Sequence, residues 1–226
     1  MIKPKAQRHC NPAPQWRVWA CALAVLSLSA CSNLAPSTSS LTQHNLGDWE
    51  LVTVPPLPIA QLVRIRPDGV LAIGDTTIGY FATRADYRDY QLRFEWRWSG
   101  KAGNAGALLH IASGPKDRAW PLSLQVQTKH GSAGDILPMA GAQFLEPLTS
   151  APGAATPIKA HLAPNSEKAV GEWNLCEVIS RDGSIQVWIN GVFQNKVTQA
   201  LPAHGRIGFQ LEGVAHELRN VQIRPN

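Results

Sequence analysis

The side chains of this sequence that could move protons sit two apart on strand-like stretches. Gln210 and Glu212 share one side of Ile207-Gly208-Phe209-Gln210-Leu211-Glu212-Gly213, and the carboxylate closes the stretch at a Gly turn, a position where functional groups tend to gather. Glu95 and Arg97 share a second face. That face is either solvated, as charged strand faces commonly are, or part of a site. His110 follows the turn at Asn104 and is either a core imidazole with both nitrogens satisfied or an acid-base group. Carboxylates and imidazoles so placed could serve general acid-base chemistry, proton transfer to and from a bound molecule.

Other chemistries lack their residues. There is no Gly-rich phosphate loop ending in Lys-Ser or Lys-Thr, no dinucleotide glycine fingerprint, no Gly-x-Ser-x-Gly elbow and no His-Glu-x-x-His zinc motif. His44, His110, His130, His161, His204 and His216 show no spacing that sets two on one strand face, so no metal ligand set is assigned. Cofactors are not expected, with a divalent ion left open. Cys176 lies in Asn174-Leu175-Cys176-Glu177-Val178, where alternation makes it an inert core thiol rather than a nucleophile.

The elements that must position these groups are strands. In Gln91-Leu92-Arg93-Phe94-Glu95-Trp96-Arg97-Trp98 the apolar residues alternate with Gln91, Arg93, Glu95 and Arg97, the period of a sheet with one face in the core. Leu122, Leu124 and Val126 alternate in the same way with Ser123, Gln125 and Gln127, and Ile207, Phe209 and Leu211 with Gln210 and Glu212. Asp182-Gly183 and Asn190-Gly191 separate three further stretches and supply the positive φ of tight hairpins. Many short strands with Gly-rich turns, and no long helical stripe, predict an all-β jelly-roll sandwich of two antiparallel sheets. Residues 129–172 carry five Pro residues and are too long for a passive link. They are expected to hold short strands and a loop over a site.

Charge and the N-terminus belong together. The chain has 226 residues and a formal charge of +5, but Lys3, Lys5, Arg8 and Arg17 lie in the first thirty residues, which hold no acid. Without them 17 basic side chains face 16 acidic ones, so a nucleic-acid partner is not indicated. The apolar run Val18–Ala30 is too short to remain as a membrane span and reads as part of a secretory signal over residues 1–30. It closes in Leu28-Ser29-Ala30-Cys31, which resembles the bacterial lipobox. That resemblance implies acylation of Cys31, a membrane contact through the lipid, and a bacterial outer-membrane lipoprotein facing the periplasm, with Ser32 favouring release to that membrane. Residues 31–45 are rich in Ser and Thr and are expected to form a flexible tether, leaving 46–226 as the folded domain.

Four stretches, in order, carry a further resemblance: Tyr87-Arg88-Asp89-Tyr90 through Trp98; Gly103-Asn104-Ala105-Gly106-Ala107-Leu108-Leu109-His110; Trp120-Pro121 through Gln125-Val126-Gln127 to Gly131-Ser132-Ala133-Gly134-Asp135; and Ser166-Glu167-Lys168-Ala169-Val170-Gly171-Glu172-Trp173-Asn174 continuing through Ile189-Asn190-Gly191 and Gly205–Gly213 to Leu218-Arg219-Asn220. Together they resemble the 3-keto-disaccharide hydrolase domain, also known as domain of unknown function 1080. The resemblance implies a concanavalin A-like sandwich acting on sugars whose C3 hydroxyl has been oxidised to a ketone. A C3 ketone acidifies the C2 hydrogen, so a base can remove it, the C1 substituent can leave, and water can add. Such a site needs a base, a cation or donor at the ketone oxygen, and a proton source.

On that reading Glu212, Glu95 and His110 are the catalytic candidates. Gln125, Gln127, Asn104, Arg97, Lys129, Asp135, Gln210 and Trp173 are the substrate-binding ones. Lys129 and Asp135 flank a Gly-rich stretch and are equally readable as turn residues. Arg219 faces the ketone oxygen or pairs with Glu217. Trp120 and Trp173 either close the core or offer an indole face to a pyranose. Two positions depart from the family pattern: Ala105 replaces a Ser, and Gln125 stands where a Glu is common. If that Glu is the base, the chain is a noncatalytic carbohydrate-binding lipoprotein; if it is a hydroxyl acceptor, Gln125 can still serve. Ordinary two-carboxylate glycosidase action is a weaker third reading, because the Glu-x-Asp-x-x-Glu pattern of jelly-roll glucanases is missing.

Overall fold

The alternation of 90–98 becomes a strand whose even-numbered residues are all buried, in a computed structural model of the chain that describes residues 39–40, 46–75 and 77–225. Fourteen strands follow in order: β1 (Ser39–Ser40), β2 (Trp49–Thr53), β3 (Val63–Ile65), β4 (Leu71–Ile73), β5 (Ile78–Tyr87), β6 (Tyr90–Trp98), β7 (Gly106–Asp117), β8 (Trp120–Gln127), β9 (Ile136–Met139), β10 (Asn174–Arg181), β11 (Ser184–Ile189), β12 (Val192–Val197), β13 (Gly205–Glu212) and β14 (His216–Pro225). Single 3-10 turns occupy Leu46–Asp48 and Ile59–Gln61. All the strand pairings are antiparallel.

The strands form an eight-stranded sheet, β12-β11-β10-β6-β14-β4-β3 with β1 also on β14, and a six-stranded sheet, β2-β5-β13-β7-β8-β9. The hairpins β10–β11 and β11–β12 turn at Asp182-Gly183 (φ 49° and 72°) and Asn190-Gly191 (φ 52° and 80°), the left-handed pairs their sequences require. Between the sheets lies one apolar core. Phe94 and Trp96 of β6 meet Phe209 of β13, Leu109 of β7, and Leu124 and Val126 of β8 there. Phe94 and Phe209 make an edge-to-face contact across the sandwich at 5.1 Å.

One expectation changes at a sheet edge. The sequence places Ser39–Ser40 in the tether, yet they pair with Ile223 and Gln222 of β14. Below its pairing with β4, β14 has a free edge, and its backbone groups accept a partner strand of any composition. Residues 1–38 and 41–45, with the signal, Cys31 and the rest of the tether, lie outside the described residues. The Pro-rich span 129–172 holds β9 and a long loop, as the sequence predicts. Asn195 of β12 ties that loop down: its Nδ2 donates to the carbonyls of Gly134, Lys159 and Ala160, and its Oδ1 accepts from Lys159 Nζ at 2.6 Å.

Candidate functional site

On the outer face of the six-stranded sheet the polar half of the alternation is buried. Ser123, Gln125, Gln127 and Gln210 are no more than 5% exposed, because the hairpin β7–β8 and the loop residues Met139–Gly141 and Ala154–Ile158 rise around them. The result is a groove of about 620 Å³ whose lining includes Asn104, Gln125, Gln127, Lys129, Asp135, Gln210 and Glu212, within the size range of small-molecule sites. Trp120 also lines it. Lys116, Asp117 and Arg118 stand on the hairpin side.

The floor is an amide cluster. Gln125 Nε2 donates to Gln127 Oε1 at 2.8 Å and to Gln210 Oε1 at 2.6 Å. Gly106 makes room for this, since a Cβ there would stand 2.5 Å from Gln125 Nε2. Gln125 Oε1 remains buried without a partner. An amide alone can give both bonds; a carboxylate at position 125 would require Gln127 and Gln210 to turn and donate instead. The floor is therefore uncharged, and no group in it can take a proton from carbon.

Beside the floor, Asn104 Nδ2 donates to Glu212 Oε2. Among the described residues Glu212 forms no ion pair. Lys129 is exposed at the same end. Asp135 is held differently: its Oδ1 accepts from the His161 backbone at 2.8 Å and contacts His161 Nδ1 at 2.6 Å. His161 escaped the sequence reading because 26 residues separate the pair and no spacing signals it. Among the described residues no group of three or more His, Cys, Asp or Glu is arranged to hold a metal ion.

Four of the sequence candidates lie elsewhere. His110 sits in a bulge of β7 at φ 55°, which turns its ring inward between the sheets. Nδ1 lies 2.9 Å from the Pro202 carbonyl and Nε2 2.9 Å from Ser180 Oγ, and the ring packs edge-on against Tyr90. Burial, partly offset by the Pro202 carbonyl, lowers its pKa to about 4. It is a satisfied core imidazole and not a member of the groove.

Glu95, Arg97 and Trp173 lie on the outer face of the other sheet. Glu95 accepts from Arg219 at 2.6 and 2.8 Å and from Asn220 at 2.8 Å. Burial alone would raise its pKa, but the bonds from Asn220 and Arg219 outweigh it and hold the carboxyl below its ordinary value. Glu217 pairs with Arg66 at 2.7 Å and Arg97 at 2.5 Å, so Arg219 chooses Glu95 across the strands rather than Glu217 along its own. The guanidinium carbons of Arg97 and Arg219 stand 4.6 and 4.1 Å from the Trp173 ring centroid. Those cations crowd the indole, and Trp173 is not among the groove's lining residues.

Two antiparallel sheets with a polar groove across one of them define a jelly-roll β-sandwich. The comparisons narrow the class: the profile of the 3-keto-alpha-glucoside-1,2-lyase-like domain matches residues 39–224, and the chain belongs to that family. A solved structure from Parabacteroides distasonis, assigned to the glycosyl hydrolases, is 18% identical with a TM-score of 0.61, covering 84% of this chain and 100% of its own. A beta-glucanase from Bacillus licheniformis is 12% identical with a TM-score of 0.55, covering 85% of this chain and 98% of its own. The carbohydrate-binding module CBM66 from Bacillus subtilis is 13% identical with a TM-score of 0.53, covering 78% and 95%. These likenesses show the jelly-roll fold. A comparison with curated proteins finds no match.

Proposed function

We propose that the groove over β13, β7 and β8 cleaves 3-keto-glycosides by elimination and hydration, with Glu212 as the base. The observation that carries this is the pairing of Glu212 with Asn104 at the edge of an uncharged, hydrogen-bonding floor. Glu212 takes the C2 proton. The C2–H electron pair enters the C2–C3 bond, and charge develops on the C3 oxygen, for which Lys129 is the nearby cation. Collapse of the enolate restores the C3 ketone, forms a C1–C2 double bond and expels the C1 oxygen, which takes up the proton that Glu212 removed. Water then adds its oxygen to C1 and its hydrogen to C2, so the net reaction is hydrolysis. Gln125, Gln127 and Gln210 shape the floor beneath the ring, Asp135 is oriented by His161, and Trp120 supplies apolar surface.

Gln125 favours a second reading, a noncatalytic sugar-binding protein, because it removes a carboxylate from the floor. One assay separates the two. Purified protein is incubated with 3-keto-trehalose and with trehalose, and sugar release is followed. Release from the ketone alone supports the enzyme; binding without release supports the second reading. Equal release from trehalose contradicts the mechanism, since without the ketone the C2 hydrogen has no usable acidity. We also propose that the domain is held at a bacterial outer membrane by acylated Cys31, facing the periplasm. Cys31→Ala should then leave the protein in the soluble fraction after an alkaline wash, and unchanged membrane retention would contradict it.

A further inference from the structure

The outer face of the eight-stranded sheet carries a second Trp in a different setting from Trp173. Trp188 of β11 lies across from Glu177 of β10, and Glu177 lies across from Arg93 of β6, which in turn faces Gln222 of β14. This row crosses a depression of about 410 Å³. Phe193 of β12 braces the indole in an edge-to-face contact at 5.3 Å, which fixes the ring without enclosing it: Trp188 is half-buried and Phe193 is 38% exposed.

Two rows of charge on one sheet can be compared directly. Around Trp173 the acids on β6 and β14 have cations within ion-pair distance, Glu95 with Arg219 and Glu217 with Arg66 and Arg97, and two of those guanidinium groups lie against the indole. Around Trp188, Glu177 and Arg93 are cross-strand neighbours in register, yet among the described residues neither side chain is in an ion pair or hydrogen bond. The charge of Arg93 is felt at Glu95, but among the described residues no cation lies over the Trp188 ring.

We propose that the Trp188 depression is a second carbohydrate site that takes a neutral hexose unit of an oligosaccharide, independent of the groove on the opposite sheet. The apolar C–H face of a pyranose suits a braced indole. A carboxylate accepts from a pair of ring hydroxyls, a guanidinium donates to hydroxyl oxygens, and the Gln222 amide can do either. Glu177 and Arg93 carry opposite charges, and Arg224, which also lines the depression, is engaged in an interaction of its own, so a neutral ligand satisfies the Glu177–Arg93 pair without leaving a charge over. A free amino acid would also match the two charges but offers no broad apolar face to the ring.

The test is a titration of the purified full chain, labelled with nitrogen-15 in Trp, with maltohexaose, laminarihexaose and cellohexaose in turn. The readout is the Trp188 indole resonance. At least one of the three should shift it saturably while the Trp173 resonance stays in place. Glu177→Ala and Arg93→Ala, both surface changes, should each weaken that binding at least tenfold, and Glu212→Gln in the groove should leave it unchanged. Several results would overturn the proposal: no saturable shift with any of the three, or a shift indifferent to Glu177→Ala and Arg93→Ala. So would a shift produced by raising protein concentration alone, which marks a self-interface, or by phosphatidylglycerol vesicles and not by sugars, which marks a membrane-docking face. A shift with glycine in place of the sugars would assign the site to a zwitterion and equally overturn it.

Discussion

Glu95 and Glu212 both stand on the outer face of a strand, each two residues from another polar side chain, and the two sheets give them opposite surroundings. Glu95 is gripped by Arg219 and Asn220, part of a charged surface in which Glu217, Arg66 and Arg97 are also paired. Glu212 is bonded to a neutral amide, Asn104, beside glutamines that are buried under loops. The difference shows how one alternating pattern makes either a solvated face or a site. Where acids find cations, the proton is held off and the face is finished. Where loops bury the neighbouring amides and, among the described residues, no cation pairs with it, the carboxylate keeps a neutral partner instead of an ion pair.

That contrast can be strained at several points, beginning with the core that holds both sheets in place. Trp96→Ala should destabilise the domain by roughly 3 to 5 kcal/mol, because Trp96 is 1% exposed and fills the space between the sheets. Its neighbour on the outer face, Arg97→Ala, should cost less than about 1 kcal/mol. Urea melts that reversed this order would mean that the faces of β6 are exchanged.

Acid should act through the core imidazole. His110 titrates at about 4 when folded against 6.5 as its reference, so the unfolded chain binds the proton first. Its contribution is complete above about pH 6.5 and is lost as the pH falls through about 4, on the order of 3 kcal/mol in total. His216, whose pKa burial also lowers, adds to the loss in the same direction. In His110→Gln, stability measured by urea melts between pH 7 and 4 should fall less steeply; an unchanged slope would remove His110 as its cause.

Gly106→Ala should separate floor from fold. The new methyl would stand 2.5 Å from Gln125 Nε2 and 2.9 Å from the Val126 carbonyl, forcing Gln125 off Gln210. A stability loss of about 1 to 3 kcal/mol is expected from the overpacking, with sugar affinity reduced at least tenfold by calorimetry. Retained affinity would take the amide cluster out of the site. The smallest effect belongs to Glu95→Gln, which should cost about 1 kcal/mol or less and leave turnover of a 3-keto-glycoside within twofold. A larger fall in turnover would return the opposite face to the catalytic account.

Much of the frame was legible in the sequence. The period of two along 90–98 and the Asp182-Gly183 and Asn190-Gly191 turns are local signals, set by side-chain direction and positive φ, and they survive into the structure. Which polar face becomes the groove was not legible, because Glu95-x-Arg97 and Gln125-x-Gln127 alternate alike. What separates them is the loop across residues 139–158, docked through Asn195, a residue distant in sequence from the strands it covers. His110 was ambiguous for the same kind of reason. Its bulge reverses the parity that alternation assumes, and its partners Pro202 and Ser180 are 92 and 70 residues away. The sequence leaves Trp173 open between the core and a ligand, because the arginines that meet it come from β6 and β14.

Glu212 acting as a base at C2 is the step on which the proposed reaction depends, and hydrogen exchange reads it directly. The wild-type protein and Glu212→Gln are incubated with 3-keto-trehalose in deuterated water, and both deuterium at C2 and released sugar are followed by NMR, with binding measured separately. Wild type should incorporate deuterium and release sugar, while Glu212→Gln loses both by at least about a hundredfold and keeps binding within a few-fold, since the amide preserves shape but takes no proton. A Glu212→Gln protein that exchanges C2 and releases sugar at the wild-type rate would contradict the account.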